Sequence, residues 1–274
     1  METNKIKTDD KLDINVEETT GYAFKFKASD FSSNNATNGN GGAIYIKDSE
    51  DNSIRGNLTV TSSTFTNNTT TAGGGALYIN DSEVVISSKE EVLNEFSNNS
   101  AVNGGAIYIT KTNDTIITNS IFNENSAQTG GAIFITSNSV VSMNLCEFTS
   151  NSATLTTGGA ITAATTEFAM TNCEFSTNTS LTTGGAIHFD SSTIDIDGSL
   201  LENNSATTNG GAIYFDDTTG TITDTTFKVA KLKSGFSYKF KIKAFWGACI
   251  APKSRISCAV HLVMNAPSRP NLST

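Results

Sequence analysis

The chain has 274 residues, a formal net charge of −9 and 16% charged residues, against roughly 25% in ordinary globular chains. Ser, Thr, Asn and Gly fill the space, yet Ile and Phe recur at regular positions, which excludes a disordered polar tract. No apolar run approaches the ~20 residues of a membrane helix.

The first residues, "METNKIKTDDKLDINVEETT", are polar, carry acids and do not form a secretory signal peptide. Residues 1–21 are therefore expected to be a polar N-terminal segment, with the chain a fragment of something longer. Its charges at Lys5, Lys7, Asp9, Asp10, Lys11 and Asp13 suit a sheet edge that discourages further pairing.

Residues 22–227 are one repeat. The Ala of "GGA" falls at Ala43, Ala76, Ala106, Ala132, Ala160, Ala186 and Ala212, in steps of 33, 30, 26, 28, 26 and 26. A second mark, "FxxN", begins at Phe31, Phe65, Phe96, Phe122, Phe148 and Phe175, with Leu201 standing in once. The Asn three places on is always present: Asn34, Asn68, Asn99, Asn125, Asn151, Asn178 and Asn204. Phe227 keeps the register, but no Asn follows it.

After each Ala, apolar residues alternate with period two, as in Ile107 and Ile109 or Ile133 and Ile135. This is the mark of a strand with one buried face. Short strands recurring every ~26 residues predict an all-β, single-stranded parallel β-helix, a solenoid of about seven to eight coils followed by a short β-rich tail. Stacked at ~4.8 Å, the Phe positions span about 34 Å. The Phe residues then form one buried column and the Asn residues an amide ladder. The longer early repeats hold insertions near 48–56 and 87–93, and "SSKEEVLNEF" at 87–96 is the one stretch with any helical character.

Three columns could carry chemistry. The residue two past each Ala is Tyr45, Tyr78, Tyr108, Phe134, Thr162, His188 or Tyr214, and it alternates with the buried Ile. It is expected outside, either as a platform for sugars or a partner protein or as rings that stabilise the sheet by stacking. Asp190 and Asp216 share a column beside Asp217, with Asp195 and Asp197 on the strand between. Clustered carboxylates can act as acid, base or calcium ligands, but like charges at a solenoid edge are more often simply solvated. Cys146 and Cys173 share a column otherwise filled by Ser29, Ser63, Asn94, Ser120, Ser199 and Thr225. They are within disulfide reach, in an unfavourable in-register geometry, or are free thiols in a small-residue column. There is no CxxC spacing, His188 and His261 are isolated, and no calcium-loop motif is present, so no metal or other cofactor is expected. Of the N-x-S/T triplets, those at Asn68 and Asn178 fall on the amide ladder, which would shield them, while Asn57 and Asn113 lie off it.

The composition shifts after Phe227. Residues 228–274 hold nine of the 18 Lys and Arg and no acid, which leaves residues 1–227 at −18. All three prolines and Trp246 also fall there. The lysines alternate with Tyr238, Phe240 and Ile242, as in a strand with one solvated face rather than a nucleic-acid site. The apolar face from Phe236 to Ala244 is expected to cover or extend the last coil.

"GGAI" paired with "FxxN" over residues 22–227 resembles the repeats of polymorphic outer membrane proteins, the chlamydial surface adhesins and autotransporters. Similar repeats occur in protist surface proteins with right-handed β-helices. The resemblance implies an extracellular or cell-surface protein that binds other proteins or carbohydrates and catalyses nothing. Membrane association would then come only through parts absent from this chain. The tail, "LKSGFSYKFKIKA", is similar to the late part of a fibronectin type III domain. The competing reading is a β-helix enzyme acting on acidic polysaccharides through Asp190, Asp216 and Asp217.

Overall fold

The computed structural model describes residues 5–6, 12–15, 23–47, 56–88 and 92–228. They form four parallel sheets of nine, eight, eight and seven strands, in which every strand pairs with its equivalent one repeat away. One coil shows the plan. Ser120–Asn123 lies in the Phe sheet, Ser126–Thr129 in a short polar sheet, Ile133–Thr136 in the sheet that follows the glycines, and Ser139–Asn144 in a fourth sheet. The next coil begins at Glu147–Thr149.

There is no helix among the described residues. The flanks of the stretch with helical character are strands instead, Glu83–Ser87 and Asn94–Ser97. Their outer residues continue ladders made by the coils on either side, and that pairing overrides local propensity. Most of the insertion near 48–56, residues 89–91 and the fibronectin-like tail from residue 229 lie outside the described residues. The ladders also begin earlier than residue 22: Lys5–Ile6 pairs with Asp30–Phe31, and Leu12–Asn15 pairs with Ile44–Lys47.

Each of the four corners in a coil is turned by a residue of positive φ. In the coil of Phe122 these are Glu124 (φ 54°), Gly130 (61°), Asn138 (56°, beside Ser137 at 62°) and Leu145 (53°). The two glycines of "GGA" have different tasks. Gly130 supplies the left-handed corner. At Gly131 a Cβ would lie 2.0 Å from the carbonyl oxygen of Gly159, so the second glycine lets consecutive coils approach.

The interior is filled column by column. Phe31, Phe65, Phe96, Phe122, Phe148, Phe175 and Leu201 are buried in one line. The six rings stack nearly parallel, with centroids 4.6–4.9 Å apart, which is the strand spacing itself. Phe227, expected in the same buried column, is only partly buried because it lies on the last described coil. Where the glycine-side sheet thins to Ala163, the fourth sheet supplies Phe168 in the same coil, and the volume is restored.

Beside the Phe column runs the amide ladder. Asn99 donates to Asn125 Oδ1 from both its backbone N–H and its Nδ2, each at 3.0 Å. Asn125 Nδ2 donates in turn to Phe96 O at 2.9 Å and to Asn151 Oδ1 at 3.0 Å. The amide-to-amide contact recurs from Asn34 to Asn204. This corner is buried, and each Asn side chain supplies hydrogen-bond partners for the backbone there.

Two substitutions separate packing from polar satisfaction. Phe122→Ala removes a mid-column ring and should cost about 3–5 kcal/mol. Asn125→Leu keeps the branched shape but strips partners from the Asn99 N–H, the Asn99 amide and Phe96 O. At about 1–3 kcal/mol for each buried group left unsatisfied, the loss should be about 3 kcal/mol or more. Urea unfolding of both variants checks these values. A near-neutral Asn125→Leu would show that the ladder does not stabilise the fold.

Candidate functional site

The most distinctive outward feature is the aromatic column on the glycine-side sheet. Tyr45, Tyr78, Tyr108, Phe134, Thr162, His188 and Tyr214 occupy one register. Ring centroids are 5.1 Å apart between Tyr45 and Tyr78, 4.8 Å between Tyr78 and Tyr108, and 5.2 Å between Tyr108 and Phe134. His188 and Tyr214 stack at 5.2 Å. The six rings are half-buried. Because the stacking runs along the rod, each ring's faces are turned to its neighbours and its edge is turned outward.

The column is bedded on the corner of the preceding coil. A Cβ on Gly73 would come within 2.7 Å of the Tyr108 ring. Thr162 breaks the column. Although it stands at an outward position, it is only 4% exposed, and its hydroxyl turns back to donate to Thr157 O at 2.8 Å. His188 Nδ1 lies 2.9 Å from Thr183 Oγ1, a hydrogen bond that orients the ring.

Burial governs ionisation here. Burial, with Tyr108 and Tyr45 alongside, pushes the Tyr78 hydroxyl from 10.0 up to about 12. Burial also raises Tyr108. It lowers His188, an effect partly offset by Asp190 and Asp216.

The structure brings Asp190 and Asp216 together, in register on adjacent strands. Asp217 follows at a corner of positive φ, 41°. Asp190 is half-buried and accepts a hydrogen bond from Ser191 Oγ at 2.9 Å. Asp216 and Asp217 are exposed. Asp195 and Asp197 stand on the neighbouring sheet, where Thr221 and Thr223 of the next coil donate to them. From Thr112 to Phe227 the chain has twelve acids and no Lys or Arg. Among the described residues, no group of three or more His, Cys, Asp or Glu side chains could hold a metal ion.

Cys146 and Cys173 are free and buried. Their column is a second ladder, which the sequence showed only as a row of small residues. Ser29 N–H donates to Ser63 Oγ at 3.2 Å, Ser63 N–H to Asn94 Oδ1 at 3.0 Å, and Cys173 N–H to Ser199 Oγ at 3.1 Å. Ser hydroxyls in the column bond back to the carbonyl two residues earlier, as Ser120 does to Thr118 O at 2.9 Å. The two thiols repeat that contact, Cys146 to Asn144 O at 3.5 Å and Cys173 to Thr171 O at 3.3 Å. A hydrogen bond with Cys173 and burial push the Cys146 thiol well up, which suits a structural thiol rather than a nucleophile.

Four parallel ladders closed by left-handed corners define a parallel β-helix. The right-handed β-helix region family matches residues 56–227, and the chain belongs to that family. The Chlamydia polymorphic membrane protein repeat matches residues 29–47, which hold the first FxxN and GGA marks. No curated protein and no solved structure matches the chain.

The aromatic column makes stability depend on alkaline pH. An unfolded tyrosine ionises near 10.0, whereas Tyr78 keeps its proton to about 12. Its contribution is therefore fully present below pH 10 and is lost as pH rises toward 12. Solvent screening of a half-buried ring limits the loss to about 1 kcal/mol. Unfolding measured across this range should show the fall, and Tyr78→Phe should flatten it. Identical profiles for both proteins would contradict the assignment.

Proposed function

We propose that this chain is part of a non-enzymatic surface rod, extracellular or displayed at the cell surface, that binds other proteins or glycans through its outward faces. The observation that carries this reading is the aromatic column Tyr45, Tyr78, Tyr108 and Phe134. It places four half-buried rings in register on one face of the solenoid. Tyr is among the residues that dominate binding surfaces, because it offers much contact area at little entropic cost. The ring edges face outward while the faces are occupied by stacking, a geometry that suits a protein partner better than a sugar stacked on a ring. The match to a Chlamydia polymorphic membrane protein repeat supports surface display. Nucleic acid is disfavoured by an acidic body.

A second reading has one observation in its favour: Asp190 and Asp216 lie in register on adjacent strands, beside Asp217. On this reading the protein is a β-helix lyase or hydrolase of acidic polysaccharides. A catalytic site needs a few convergent groups in a concave setting, and a carboxylate column in a stretch that has acids but no Lys or Arg attracts an anionic substrate poorly.

Both readings can be tested together. The chain and a Tyr45→Ser/Tyr78→Ser/Tyr108→Ser variant with retained circular dichroism are applied to a panel of purified matrix proteins and glycans. The variant should lose about tenfold or more in affinity for whatever the parent binds. Equal binding by both proteins would remove the column from the proposal. Release of unsaturated or reducing ends from pectin, alginate or glycosaminoglycan, abolished by Asp190→Asn, would replace it with the enzyme.

A further inference from the structure

Among the described residues, the apolar C-terminal end of the solenoid is incompletely covered. Ile213, Phe215, Ile222 and Phe227 point into the core of the last described coil, and all four are only half-buried. Their register partners one coil back, Ile187, Phe189, Ile196 and Leu201, are 0–1% exposed. The repeat cannot supply the next coil. The next rung of the amide ladder falls on Ala230, which has no amide to offer.

The C-terminal tail has a pattern suited to this end. Phe236, Tyr238, Phe240 and Ile242 alternate with Ser237, Lys239, Lys241 and Lys243, so an extended strand there has one apolar and one basic face. The seven residues from Val229 to Gly235 reach about 23 Å when extended, enough to cross a coil. The charges are complementary. The last coils expose Asp195, Asp216, Asp217 and Asp224, within a stretch that has no Lys or Arg, while the tail has only bases. A segment tethered to the same chain also outcompetes a second copy through its high effective concentration.

We propose that the open C-terminal face of the β-helix is an intramolecular docking surface for residues 236–242. Phe236, Tyr238, Phe240 and Ile242 cover Ile213, Phe215, Ile222 and Phe227, and the lysines lie toward the acidic corners. Docking closes an edge that would otherwise template association with another chain. The lysine contribution weakens with salt, and the apolar contact does not.

The test compares the full chain with one ending at Lys228 and with a full-length Phe236→Ser/Phe240→Ser variant. Light scattering, binding of an apolar-surface dye and thermal unfolding are read for each. The truncated chain should shift from monomer to larger species as concentration rises, bind more dye and unfold at lower temperature. A synthetic peptide of residues 229–248 added in trans should reverse all three. The double variant should bind more dye at full length, a readout that holds even where the truncated chain fails to fold. The idea is overturned by a truncated chain that stays monomeric with unchanged dye binding and melting. It is also overturned by a double variant that matches the parent, or by a full chain that already associates end to end.

Discussion

The rest of the structure depends on the buried asparagine ladder. A coil must turn between the Phe sheet and the short polar sheet inside the protein, where backbone groups find no water. The carboxamide satisfies them on both sides, and because each amide also bonds to its neighbours, no coil can leave the register at that point. The sequence records the constraint. The separation of Phe or Leu from Asn is three in all seven repeats, whereas the separation of that Asn from the next "GGA" Ala varies from seven to nine residues. Variation in coil length is pushed to the other corners.

Strict register at one corner has consequences around the coil. It holds equivalent residues at the strand spacing, so equivalent rings stack, 4.6–4.9 Å apart inside and 4.8–5.2 Å apart between Tyr45 and Phe134 outside. It also sets how closely backbones meet, which leaves no room for a side chain at the second glycine of each pair from Gly42 to Gly185. A positive φ at a non-glycine corner costs about 1–2 kcal/mol. The fold bears that cost at its non-glycine corners because the hydrogen bonds and burial on either side over-determine the turn.

This division explains what could be read from the sequence. The Phe, Ile, Gly and Asn columns were legible because one contact recurs with one residue type. The outward position of the aromatic column followed from its alternation with buried Ile. The Ser ladder was visible only as small residues, since Ser, Cys, Asn and Thr meet the same backbone groups with different atoms and share no letter. Thr162 reads as an outward residue, yet a hydrogen bond to Thr157 O within its own coil buries it. The strands Lys5–Ile6 and Leu12–Asn15 carry neither repeat mark, and they pair through backbone groups that any residue possesses. The acidic residues were legible as a column at Asp190 and Asp216 but not as a site, because adjacency along a solenoid is a property of every column.

Departures from a column carry information when they are read across the coil instead of along it. Ala163 breaks a line of Ile and Phe, and five residues later Phe168 stands between the smaller Val141 and Ile194 of its own column. Each is unexplained within its own column. Together they conserve the volume of one coil, and Phe168 meets Phe189 of the next coil at 5.3 Å, tilted by 60°. An inward departure must be compensated within a coil because the interior is close-packed. An outward departure faces solvent and needs no such partner. Tyr45 to Phe134 and the acid-only stretch beyond Thr112 are of this second kind, and packing does not dictate them. Their regularity has to come either from stacking with the next rung, as the ring distances show for the aromatic column, or from a partner. The acids gain no such contact from the next rung, and like charges in register, as at Asp190 and Asp216, repel one another.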